Sequence, residues 1–180
     1  NKRIESPSNL TAYQYPFINF GADLSTRMQL MDPDAPLAKQ LYAKLSARVS
    51  IAPYLNLWGV YGQDIYNDFT TDRVSNSRIQ KVRSDVNNYL TEGESGIDQL
   101  FLEYRNSLGK SFHYRTYAGI LESMYAGVGG EILYEPFAQR WAIGATLNGL
   151  QQRGFEKSFE LLDYSTVTGF VSLYYASPWY

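Results

Sequence analysis

From Phe20 to Leu30 the chain alternates in character residue by residue. Phe20, Ala22, Leu24, Thr26, Met28 and Leu30 take the even positions, and Gly21, Asp23, Ser25, Arg27 and Gln29 the odd ones. A helix would scatter these charges around its axis. A strand sends successive side chains to opposite faces, so the same pattern gives one apolar and one polar face. The stretch is about eleven residues long, which is what a tilted strand needs to cross a bilayer.

The period of two recurs along the chain. Leu41, Ala43, Leu45, Ala47, Val49 and Ile51 alternate with Tyr42, Lys44, Ser46, Arg48 and Ser50. A third strand is expected from Leu55 to about Tyr66, and a fourth from Ile97 to Asn106, with Leu100, Leu102 and Tyr104 opposite Gln99, Glu103 and Arg105. The fifth runs from Ser111 to Leu121, with Phe112, Tyr114, Thr116, Ala118 and Ile120 opposite His113, Arg115 and Tyr117. A sixth (Val128–Tyr134), a seventh (Trp141–Gln152) and an eighth (Tyr164–Tyr175) complete the set.

The connections are of two kinds, and the kinds alternate. Those near residues 53, 108, 137 and 177 are short; those near 34, 80, 125 and 158 are mostly longer and more polar. An up-and-down membrane barrel sorts its loops this way, short on the periplasmic side and long outside. A soluble sandwich has no reason to do so. The predicted fold is therefore all-β: an antiparallel up-and-down transmembrane β-barrel with about eight strands here. Residues 1–14 form an N-terminal extension and 67–96 a long extracellular loop, within one domain spanning 1–180.

Composition agrees with this reading. The mean hydropathy of −0.33 is that of an ordinary soluble protein, but in a barrel the lipid-facing and lumen-facing residues cancel. No apolar run approaches the roughly 18 residues of a membrane helix. Sixteen Tyr and three Trp suit an interface that is apolar at one end and wet at the other. A net charge of −2 gives no nucleic-acid footprint. The absence of Cys excludes a disulfide framework and thiol chemistry. Asn1-Lys2-Arg3 opens no signal peptide, so an exported protein would carry that signal in a longer precursor.

In a barrel the polar face becomes the lumen. Asp23, Arg27, Lys44, Arg48, Glu103, Arg105, His113, Arg115 and Glu131 fall on it. The simplest role for such a mixture is a solvated, salt-bridged interior; a sharper one is a polar track for a saccharide. Arg78, Lys81 and Arg83 form a basic cluster in the long loop; its simplest role is a solvated surface, and a sharper one is to fold inward and constrict the lumen or to touch lipopolysaccharide phosphates.

No catalytic constellation emerges. His113 stands without a nucleophile motif. Glu122 and Glu135 lie at opposite ends of one predicted hairpin, too far apart for glycosidic cleavage, and Glu131 is placed to pair with an Arg on the next strand. Gly127-Val128-Gly129-Gly130 precedes a strand pattern, not the helix a phosphate cradle needs; its glycines fit strand bends or relief of crowding. No enzyme activity, cofactor or metal is expected.

The stretch Tyr117-Ala-Gly-Ile-Leu-Glu-Ser-Met-Tyr-Ala-Gly-Val-Gly-Gly-Glu-Ile-Leu-Tyr-Glu-Pro136 resembles the second half of the YjbH/GfcD family of bacterial outer-membrane proteins. Arg140-Trp-Ala-Ile-Gly-Ala145, Asp163-Tyr-Ser-Thr-Val-Thr-Gly169 and Ile79-Gln-Lys-Val-Arg-Ser84 are similar to it too, so the resemblance covers roughly residues 78–175. It implies an outer-membrane location in a Gram-negative cell and a part in exopolysaccharide or group 4 capsule secretion. Lipid, lipopolysaccharide, polysaccharide and other export proteins are the implied partners. Family members are longer, so these strands are expected to be a fragment of a larger barrel. Ser177-Pro178-Trp179-Tyr180 reads as a turn into a ninth strand. The rival reading is a soluble β-sandwich that binds carbohydrate. A polysaccharide deacetylase or lyase lacks both a metal triad and an acid pair.

Overall fold

The computed structural model describes residues 14–30, 37–69 and 86–177. Eight strands follow in chain order: β1 (Phe17–Leu30), β2 (Leu37–Ala52), β3 (Leu55–Asn67), β4 (Gly96–Leu108), β5 (Phe112–Ile120), β6 (Tyr125–Tyr134), β7 (Trp141–Arg153) and β8 (Leu161–Tyr175). A short helix, α1 (Val86–Thr91), stands between β3 and β4. The strands form one sheet in sequence order, every neighbouring pair antiparallel. The expected up-and-down topology is present. The sheet is open, with β1 and β8 as its edges.

Register keeps the two faces apart, as it must where a one-residue slip would invert every side chain. Leu24 lies opposite Ala43, Leu57 opposite Leu102, Ala118 opposite Val128, and Ala145 opposite Val171. On the other face Asp23 lies opposite Lys44, Arg48 opposite Trp58, and Arg115 opposite Glu131. Register shifts near Leu41, Ala52, Val60 and Gln151 bend individual strands without mixing the faces.

Large side chains of the apolar face stand exposed. Phe20 is 81% exposed and Val171 78%, while Glu103 and Gln40 on the polar face are 2% exposed. This inverts the usual preference of Glu and Gln for water and of Phe and Val for the interior. At the short-turn end of the apolar face the aromatics gather in a row. Tyr104 meets Tyr114, Phe112 meets Tyr134, and Tyr134 meets Trp141, with centroids 4.7–6.2 Å apart. Tyr175, opposite Trp141, extends the row onto β8.

At the other end the loops fold together. Tyr89 of α1, Met124 and Tyr125 form a buried cluster with Leu150, Phe155 and Tyr164 packed against it. Arg153 is fully buried. Its guanidinium donates to the carbonyls of Ile97, Glu122, Ser123 and Ser158, tying the β5–β6 and β7–β8 connections to the start of β4. Lys157, also buried, lies 3.4 Å from Asp98. Burial pushes its ammonium below the ordinary lysine range, and Asp98 offsets part of that push.

Several boundaries differ from the sequence reading. The expected loop 67–96 contains α1, whose polar sequence hides it from a hydrophobic-period search. β6 starts at Tyr125, ahead of the expected Val128, and Arg153 ends β7 instead of opening a loop. The long-loop end includes one tight connection at residues 121–124. The basic cluster Arg78, Lys81 and Arg83, the extension over residues 1–13, and the expected strand beyond Pro178 lie outside the described residues. Among the described residues no helix is long and apolar enough to cross a membrane.

Candidate functional site on the polar face

Alternation brings the predicted polar residues to one face, and register sets their neighbours. Asp23 and Lys44 are cross-strand partners between β1 and β2. Four residues further along β1, Arg27 donates to Gln40 Oε1 at 3.2 Å, stands over the Tyr42 ring, and is linked through Gln40 to Asp64. His113 sits near the short-turn end, its Nδ1 2.8 Å from Ser107 Oγ.

The centre of the face is a charge network around Glu103. Trp58 Nε1–H donates to Glu103 Oε1 at 3.4 Å, and Arg105 Nε donates to the same oxygen at 2.9 Å. Arg115 reaches Glu103 Oε2 at 3.4 Å and Glu131 Oε2 at 2.8 Å. Arg48 stands over the Trp58 ring at 5.2 Å. A side chain as buried as that of Glu103 needs such partners, because an unpaired buried polar group is far costlier than a paired one. The pairing expected for Glu131 is thus made by Arg115. Glu122 lies at the loop end and Glu135 beyond the opposite end of β6, apart as the hairpin requires.

An aromatic patch adjoins this network. Trp58 and Phe101 stack with centroids 6.3 Å apart, and Phe101 meets Tyr117 edge-on at 6.4 Å. The Tyr117 hydroxyl crosses β6 to donate to Asn148 Oδ1 at 2.6 Å, and Asn148 Nδ2 donates to Thr168 Oγ1 at 3.3 Å. Gly129 leaves the room, since a Cβ there would come within 2.4 Å of the Tyr117 ring. That is the crowding relief expected of the glycine-rich stretch. Beside the patch lies a cavity of about 510 Å³, bounded at the loop end by Leu121, Tyr125 and Leu150.

Sequence reasoning did not single out Trp58, Phe101, Tyr117, Asn148 or Arg153 as site residues. Parity alone placed Tyr117 on the polar face, and the same count would have found Phe101 and Asn148. No local signal marks Arg153, whose partners lie on segments distant in sequence. Among the described residues no group of three His, Cys, Asp or Glu side chains is gathered to hold a metal.

Comparison with known proteins agrees with the motifs. The family model for exopolysaccharide biosynthesis protein YbjH (YjbH) matches residues 2–179. The chain belongs to the YjbH family. The uncharacterized lipoprotein YjbH of Escherichia coli (strain K12) is 32% identical over 114 residues, which is 61% of this chain and 16% of that protein. The chain thus matches only a small part of its YjbH relative's length. No solved structure matches.

Proposed function

We propose that this sheet is part of an outer-membrane β-barrel with a non-enzymatic role in exopolysaccharide secretion or assembly. The observation that carries the reading is the inverted exposure: Phe20, Leu24, Leu147, Val171 and Leu173 are each more than 60% exposed, while Gln40 and Glu103 on the other face are buried. A contiguous apolar surface of this kind marks a membrane or partner interface. Removing one Leu or Val side chain from water is worth about 1.5–3 kcal/mol, so lipid is a strongly favoured surrounding for the whole face.

Three further features support it. Each strand has at least the nine residues of β5, close to the length a tilted strand needs to span the hydrocarbon. The aromatic row at the short-turn end has the character of an interfacial girdle. The YjbH relative is named a lipoprotein, in keeping with membrane association. Since unpaired backbone groups in lipid each cost several kcal/mol, the edges at β1 and β8 must close on one another or be completed by further strands, and the open edges of this sheet favour the larger barrel. Lipid and lipopolysaccharide would then meet the apolar face, polysaccharide the polar face, and other export proteins the loops.

The test is fractionation of the full-length protein from its native host. Recovery in outer-membrane fractions, with heat-modifiable migration on a gel, is the expected result. Recovery from the periplasm without detergent would overturn the membrane reading and favour a soluble carbohydrate-binding sandwich.

A further inference from the structure

We infer that the polar-face cavity between Phe101, Tyr117 and Phe170 is a saccharide subsite that holds uncharged pyranose units of a polysaccharide. The inference rests on the proposed reading of this face as the solute-facing side of a membrane sheet, and adds to it a site and a ligand class.

The cavity joins two kinds of surface that seldom meet on a face meant only for water. Phe101 and Tyr117 form one wall, and Phe170, 62% exposed, stands on β8 on another. Gln99, Asn148 and Thr168 supply amide and hydroxyl groups around the same space. A volume of about 510 Å³ lies within the roughly 300–1,000 Å³ of sites for small organic ligands. A pyranose is built to match, with an apolar C–H face that lies on an aromatic ring and hydroxyls at its edge that donate and accept. Amides and hydroxyls do the same, whereas carboxylates only accept and guanidinium groups only donate. Asn148 Nδ2 has two N–H bonds and gives one to Thr168, and the Thr168 hydroxyl is itself a donor.

The charges nearby point to a neutral ligand. Arg115, the cation of the cavity lining, is held by Glu131 at 2.8 Å and Glu103 at 3.4 Å, and the other charged group of the lining is the carboxylate Glu122 at the loop end, so the space offers an acidic solute no unshared cation. A wholly apolar solute would leave the amides and hydroxyls without ligand partners, and a small ion has no use for the rings.

The test uses the full-length protein in detergent micelles and, as probe, oligosaccharides released by partial hydrolysis of the exopolysaccharide its own host secretes. Neutral and acidic fractions are titrated separately by calorimetry. The neutral fraction should bind, and Phe101→Ala should weaken binding about tenfold, the scale of losing one aromatic stacking partner. Tyr117→Phe keeps the ring and should weaken it less, and Tyr174→Ala, on the same face near the short-turn end, should leave it unchanged. Heat-modifiable migration of each variant reports folding independently. Wild-type protein that migrates as a folded barrel yet binds no neutral fraction, binds only the acidic fraction, or binds equally well after Phe101→Ala overturns the subsite and leaves the membrane reading intact. Failure of the membrane reading shows instead in the fractionation.

Discussion

The ring of Tyr117 on β5 lies across Gly129 on β6, close enough that a β-carbon on the glycine would fall within 2.4 Å of it. The pair carries the Tyr117 hydroxyl over β6 to Asn148 on β7. A gap in one strand is thereby filled by the side chain of its neighbour, and three strands share one polar contact.

Gly129→Ala forces the ring out of this gap. Overpacking of this kind costs about 1–3 kcal/mol. Gly149→Ala is the control, since a β-carbon there meets nothing within 4 Å, and its effect should stay within about 0.5 kcal/mol. Urea unfolding of the full-length protein in lipid vesicles, followed by heat-modifiable migration, compares the two.

Leu45→Arg and Leu147→Arg test the surroundings of the apolar face, both sites lying mid-strand at 50% and 64% exposure. In lipid each should destabilise by about 2–4 kcal/mol, as basic residues do near the bilayer midplane. In water an exposed site would tolerate the change within about 0.5 kcal/mol. The same vesicle unfolding measurement separates the outcomes.

Arg153→Met should loosen the loop end while sparing the distant strands. The substitution leaves the carbonyls of Ile97, Glu122, Ser123 and Ser158 without their shared donor, and hydrogen bonds to a charged group are worth about 1.5–3 kcal/mol each. Arg153→Lys should not restore the structure, because a compact ammonium lacks the planar fork that reaches several carbonyls. Hydrogen exchange should rise in residues 154–160 and 121–124 and stay unchanged in β1. Equal protection in wild type and variant would rule out the clasp.

Lys157 should make stability rise with pH. Burial lowers its pKa in the folded chain, while the unfolded chain keeps the ordinary value of about 10.4. Between those values the unfolded state binds more protons, so raising the pH favours the folded state. Below the lowered value the charged, buried ammonium remains a constant cost. Lys157→Met should remove this increment. The readout is the difference between wild-type and variant urea midpoints across pH 7 to about 10.4; a difference independent of pH would refute it.

Much of the sheet is legible because its environment is written into every second residue. Asp23 and Arg27 against Leu24 and Met28 specify a strand and its two faces, and turns such as Ala52-Pro53-Tyr54 specify its reversals. α1 was not legible, since Val86–Thr91 is short, polar and held by contacts from elsewhere, such as the Asn67 side-chain amide donating to the Leu90 carbonyl. The candidate site was half legible. Parity placed Glu103, Arg115 and Glu131 on one face, but which of them meet depends on strand register.

By itself, then, the sequence determined the strands, their faces, the alternation of turns and, through its motifs, the family, because these depend on residues close together in the chain. Only the tertiary structure decided that large side chains of the apolar face stand exposed while Glu103 is buried, that Tyr117 reaches Asn148 across Gly129, and that Arg153 gathers the loops. Those contacts join residues tens of positions apart, and no local pattern specifies which distant strand position will lie beside which.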